Sequence, residues 1–113
     1  TWVFKRGAGV WSQQGSKLVG TGGVGVSYQG ISVAISAEGT TAIIGGPTDN
    51  SSAGAAWVFT RSGDVWSQQG SKLVGTGAVF PYSEQGTSVA ISANGDTAII
   101  GGPFFLWLLV RSS

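Results

Sequence analysis

Twelve residues of this chain occur twice without a single change. Trp11-Ser-Gln-Gln-Gly-Ser-Lys-Leu-Val-Gly-Thr-Gly22 returns as Trp66 to Gly77. Two shorter blocks behave the same way: Ser32 to Ala37 returns at Ser88 to Ala93, and Thr41 to Pro47 returns at Thr97 to Pro103, with neighbours that differ only in part. Trp11 to Trp66 is a step of 55 residues and Ser32 to Ser88 a step of 56, so one residue is inserted in the loop Ala78 to Glu84. Trp57-Val-Phe-Thr-Arg61 matches Trp2-Val-Phe-Lys-Arg6, and Trp107-Leu-Leu-Val-Arg111 reads as a third start. A period of this length belongs to stacked or radial repeat architectures, in which one copy cannot bury its apolar face alone. The expected organisation is one repeat unit over residues 1–113: repeat 1 at about 2–56, repeat 2 at about 57–106 and the start of a third at 107–113.

Each period holds four strand-like runs. Ser32 to Ser36 alternates, with Val33 and Ile35 on one face and Ala34 on the other. Thr41 to Ile44 is small and β-branched and ends at Gly45-Gly46-Pro47. Ala55 to Thr60 places Trp57 and Phe59 on one face; Val65 to Val74 is more polar. Ala93-Asn94-Gly95-Asp96 carries an Asn-Gly hairpin signal, with Ala37-Glu38-Gly39-Thr40 as its counterpart. Ser62-Gly63-Asp64 and Gly7-Ala8-Gly9 link third runs to fourth runs. No stretch has helical periodicity. Three apolar strands beside a polar fourth suit a propeller blade, whose outer strand meets solvent. The predicted fold is all-β: four-stranded antiparallel propeller-type blades in tandem, about two per chain, completed by head-to-tail association.

These residues resemble the FG-GAP repeat, the blade of integrin α-subunit propellers and of many bacterial surface proteins. Gly30-Ile-Ser-Val-Ala34 and Gly86-Thr-Ser-Val-Ala90 match its first half. Ile43 to Pro47 and Ile99 to Pro103 match its second half, and Gly54 to Phe59 the strand that follows. The resemblance implies a non-enzymatic binding or structural module, at the cell surface or outside the cell. Two departures stand out. Gln29 and Gln85 replace the motif's phenylalanine. The Asp-rich calcium loop of the family's metal-binding members is reduced to Ala37–Thr40 and Ala93–Asp96, which lack the oxygen ligands calcium needs. The family's metal site is therefore not carried over.

Composition narrows the chemistry further. The chain has no histidine and no cysteine, which removes the usual general base, the Ser-His-Asp arrangement, a thiol nucleophile and zinc-thiolate sites. A net charge of +1 offers no basic stripe, so nucleic acid is not an expected partner. Glycine reaches 20 residues, but 42% of the chain is hydrophobic, so glycine marks turns and close backbone contacts rather than disorder. No catalytic residue and no cofactor are expected. The apolar run Phe104 to Val110 is too short to cross a bilayer as a helix. A start at Thr1 rather than Met suggests a processed chain or a piece of a longer one.

Candidate binding residues fall in the loops where the copies diverge: Tyr28, Phe80 and Tyr82, with Asp49 and Glu84 if their loops share a rim. Two readings of the aromatics stand side by side, ligand contact and cover for the end of the core. Asp49 and Glu84 read first as solvated loop charges. The alternative function is a glycan-binding lectin that uses loop aromatics, although the five tryptophans recur at fixed strand positions and are better explained by packing between sheets. Asn50-Ser51-Ser52 is a glycosylation acceptor pattern at Asn50. The expected partner is the chain itself, as a ring or filament, with a glycan or surface protein as a further possibility. Trp2, Phe4, Phe104, Phe105, Leu106, Trp107, Leu108, Leu109 and Val110 form the expected assembly interface, because such apolar surface on a lone monomer invites aggregation. The lost calcium loops carry a direct prediction: adding calcium or a chelator leaves the melting temperature unchanged, and a large shift with either overturns it.

Overall fold

A computed structural model describes residues 1–78 and 82–102 of the chain. Eight strands run β1 (Phe4–Gly7), β2 (Val10–Gln13), β3 (Ser32–Ile35), β4 (Thr41–Gly46), β5 (Ala55–Ser62), β6 (Val65–Gln68), β7 (Ser88–Ile91) and β8 (Ala98–Gly101). The protein is all-β with antiparallel sheets. A central four-stranded sheet has the order β3-β4-β5-β6, and two-stranded sheets β1-β2 and β7-β8 lie to either side in sequence. By the repeat alignment, β1-β2 carries the residues of β5-β6, and β7-β8 those of β3-β4. The third start, 107–113, and the apolar run Phe104 to Val110 lie outside the described residues, as does Phe80.

The hairpins follow from local chemistry. Gly7↔Val10 and Ser62↔Val65 close two-residue loops, Ala8-Gly9 and Gly63-Asp64. The Asn-Gly signal at Asn94-Gly95 does yield a hairpin, β7-β8, but not by the expected backbone route. Gly95 alone takes a positive φ, at 78°. Asn94 acts through its side chain, whose Oδ1 accepts from Ser92 Oγ at 2.8 Å and the Asp96 amide at 3.3 Å. The polar fourth run is shorter than its sequence suggests. It leaves the ladder after the Gln69 amide donates to Val58 O at 2.8 Å and rejoins it at Leu73, which exchanges backbone hydrogen bonds with Ala56.

The core sits almost wholly in β4 and β5. Its buried apolar residues are Ala42, Ile43, Ile44, Ala55, Ala56, Trp57 and Phe59, and Leu18 and Trp66 pack against it. Many large residues elsewhere are exposed, including Val33 and Ile35 on β3 and Trp2 and Trp11 in and beside the first sheet. Within one chain, packing between sheets therefore covers Trp57 and part of Trp66, while Trp2 and Trp11 stay exposed. β3 has small or polar residues on its covered face, where it lies beside β7: Ser32 Oγ donates to Gly86 O at 2.7 Å and the Ala37 amide to Ala93 O at 3.0 Å. A Cβ on Gly45 would collide with the Gly86 carbonyl, so this approach needs glycine.

The first sheet is tied to the central one through its exit segment, residues 14–21. Trp66 Nε1 donates to Gln14 Oε1 at 2.9 Å, and the Thr21 amide to Gln68 Oε1 at 2.8 Å. Trp57 is the anchor. Its Nε1 donates to Thr21 O at 2.8 Å, and its ring lies between Gly20 and Gly46, where added Cβ atoms would strike it. Removing this ring opens a cavity between sheets. Trp57→Ala is expected to cost about 3–5 kcal/mol, and Gly20→Ala to destabilise in the same direction by displacing the indole. Urea unfolding of both variants measures the effect; a midpoint unchanged in either case refutes the anchor.

Candidate functional site

Three loops meet at one end of the central sheet: residues 20–31 before β3, 47–54 between β4 and β5, and 82–87 before β7. The Asn50 amide donates to Val24 O, and Thr48 Oγ1 to Val26 O. The Glu84 amide donates to Ser52 O and the Gln85 amide to Ala53 O. The middle loop contains a single four-residue turn, Asp49–Ser52, in which Asn50 and Ser51 take left-handed dihedrals (φ 50°, ψ 60° and φ 55°, ψ 42°). Ser52 also has a positive φ of 72°. Such conformations cost about 1 kcal/mol or more per non-glycine residue. The neighbouring contacts hold them.

Asp49 was expected as a solvated loop charge or a ligand contact. It is instead completely buried. Oδ1 accepts from the Val24 amide at 2.8 Å and from Ser27 Oγ at 2.6 Å, while Oδ2 accepts from Lys72 Nζ at 2.5 Å. A buried carboxylate needs such partners, because losing water without replacement is far more costly. Burial pushes the Asp49 carboxyl upward. The hydrogen bonds from Lys72, Ser27 and Val24, with the lysine charge, outweigh that and hold it below the ordinary carboxylate value of 3.8. It is thus a poor proton acceptor, and Ser27 donates to it rather than to a base. Ser27, Asp49 and Lys72 thus tie the loop before β3, the β4-β5 loop and the segment after β6 together.

A second clamp is duplicated. Gln29 Oε1 accepts from the Gly20 amide at 2.7 Å and Gln29 Nε2 donates to Gly20 O at 3.0 Å. Gln85 treats Gly75 identically, at 2.6 and 3.1 Å. Gln29 and Gln85 are thus backbone mimics that pin each exit segment to the next loop. The residues before them, Tyr28 and Glu84, share the same left-handed backbone, with φ of 54° and 52°.

The remaining candidates are placed as follows. The loops of Asp49 and Glu84 are neighbours, as the shared rim required, but Asp49 faces inward while Glu84 is half-buried. Tyr28 and Tyr82 are both exposed. Tyr28 lines a shallow cleft of about 460 Å³ with Trp2, Lys17, Leu18 and Gln29, which Tyr82 does not join. The Lys17 ammonium stands 5.7 Å from the Trp2 ring centre. Asn50 is exposed, as a glycosylation acceptor must be. Phe4 is exposed as well. Among the described residues no three acidic side chains cluster to hold a metal ion, and no helix is long and apolar enough to cross a membrane.

Sequence reasoning missed Asp49, Ser27 and Lys72 as a unit, and the glutamine clamps. Gln29 and Gln85 left a signal, since both precede glycine in an otherwise divergent loop. Asp49 left none: its counterpart one period later is Phe105. No family model, curated protein or solved structure matches the chain.

The clamp makes a prediction about acid. A carboxyl held below its unfolded value contributes stability above pH 3.8, lost as pH falls through the lower folded value. Asp49→Ala strands Lys72 at neutral pH and is expected to cost about 3 kcal/mol, the low end for a broken buried pair, because Lys72 is one-fifth exposed and can reach water. The cost shrinks once the wild-type carboxyl is itself protonated. Urea midpoints at about pH 6 and about pH 2 check this; an equal cost at both refutes it.

Proposed function

We propose that the chain is a non-enzymatic structural and binding module of FG-GAP type, built of propeller blades, which works by assembling head to tail with other copies at the cell surface or outside the cell. The observation that carries this reading is the contrast between equivalent residues. Trp57 is 0% exposed and Trp2 56%; Phe59 is 4% and Phe4 55%; Ile43 is 0% and Ile99 71%. The same side chains are covered in the central sheet and uncovered in the sheets to either side of it. The uncovered sheets are complementary, since β7-β8 repeats the first half of the central sheet and β1-β2 its second half. One copy's β8 therefore presents to another's β1 the edge that β4 presents to β5. Isolated edges and apolar faces of this kind favour association. The polar groups at the loop end support the absence of catalysis, because Asp49, Ser27 and Lys72 are spent on one another.

Head-to-tail contacts close into a ring or continue as a filament. With about two blades per chain, a ring of about six blades is a trimer and one of about eight a tetramer. Sedimentation at micromolar concentration is expected to show a species several times the monomer mass; a stable folded monomer overturns the proposal. A second reading, glycan binding, draws on the cleft that brings exposed Trp2 and Tyr28 together. A glycan array without saturable binding at millimolar sugar removes it.

A further inference from the structure

We infer that the joint between copies is a tryptophan lock, in which Trp2 of a second copy enters the slot between Gly75 and Gly102 and donates its indole N–H to the Thr76 carbonyl. The inference rests on the head-to-tail reading and names the contact that makes it specific.

The template lies inside the chain. Trp57 sits between Gly20 and Gly46, opposite Ile44 in the β4-β5 ladder, with its Nε1 on Thr21 O. One period later the same slot is present, with Gly75, Thr76, Ile100 and Gly102 at the matching positions. Its walls are already set in the same form. The Gln85 clamp holds Gly75 as Gln29 holds Gly20. The Gly86 amide donates to Gly101 O as the Gly30 amide does to Gly45 O. Among the described residues no ring fills this slot: Gly20 is buried and Gly75 exposed, and a Cβ on Gly75 would meet only the Gln85 side chain.

The occupant is prepared as well. A second copy's β1-β2 brings Trp2, Phe4, Trp11 and Gln13, which match Trp57, Phe59, Trp66 and Gln68. Gln68 holds its Nε2 on Gly70 O at 3.0 Å and turns Oε1 to the Thr21 amide. Gln13 holds its Nε2 on Gly15 O at 2.9 Å, the same posture, and among the described residues its Oε1 accepts nothing. Across the joint, Gln13 Oε1 takes the Thr76 amide and Trp11 Nε1 donates to Gln69 Oε1. An aromatic that is fully desolvated in a fitted slot, with its N–H paired, is the kind of residue that dominates an interface.

Gly75→Ala tests the lock without unfolding the chain. Gly75 has an ordinary negative φ, and its new methyl would press on Gln85 Oε1 at 3.1 Å, a side chain that can yield. The methyl nevertheless occupies the place that the indole needs. Trp2→Ala removes an exposed ring from the other side of the joint. Each variant is expected to weaken self-association by on the order of tenfold or more in sedimentation, with unchanged circular dichroism. If the wild type assembles and neither variant weakens it, the lock is wrong and head-to-tail assembly through another surface stands. If Trp107→Ala weakens association and Trp2→Ala does not, the chain's own third start is the occupant and the lock is overturned. A monomeric wild type overturns both the lock and the reading beneath it.

Discussion

An indole ring held between two glycines sets the geometry of this molecule. Trp57 spans the gap between the exit segment of one sheet and the body of the next, and its fit leaves no space for a Cβ at Gly20 or Gly46. The ring contributes apolar burial on the scale that dominates a small core. Its N–H, paired to Thr21 O, fixes orientation as well. Among the described residues only β4 and β5 are deeply buried, as the inner strands of the four-stranded sheet. Burial here follows position along the chain and not residue type, since matching residues one period away are exposed.

Polar groups fix what apolar packing leaves free. An apolar slot can set the spacing between sheets but not the path of the loops that join them. Asp49 sets that path: one carboxylate gathers an amide and a hydroxyl from the loop before β3 and an ammonium from the segment after β6. The three positive φ values at Asn50, Ser51 and Ser52 lie in the same turn, held also by backbone bonds to Val24 and Glu84. The paired glutamines do similar work at lower electrostatic cost, since an amide that mimics a backbone strand satisfies both a donor and an acceptor of one glycine.

Much of the fold was legible in the sequence because it is periodic. The strand runs, the hairpins and the division of Trp57 and Phe59 from Ala56 and Val58 all follow from alternation and recurrence. The site was less legible. Asp49 occurs once, and a lone acid in a polar loop carries no mark of burial. Lys72 repeats Lys17 and looks like any surface lysine, yet only Lys72 has a carboxylate to meet. Residues 66–77 and 11–22 show the limit most clearly. Identical strings place one glycine in a buried slot and its twin in solvent, so nothing local distinguishes them.

That identity has a kinetic consequence. A folding chain that carries two copies of the same twelve residues offers its nascent core two equally good candidates for one berth. Residues 66–77 can dock where 11–22 belong, with the same side chains and the same hydrogen-bond partners. Such a trapped arrangement would be a deep competing minimum on the landscape, of the kind that natural sequences usually avoid by divergence. What separates the two is connectivity. Residues 11–22 reach the Trp57 site from an independent segment, whereas 66–77 follow β5 directly through a two-residue turn. The short tether forces them onto their own sheet before they can compete. The tight Gly63-Asp64 reversal thus sets which of the two identical strings lies beside β5.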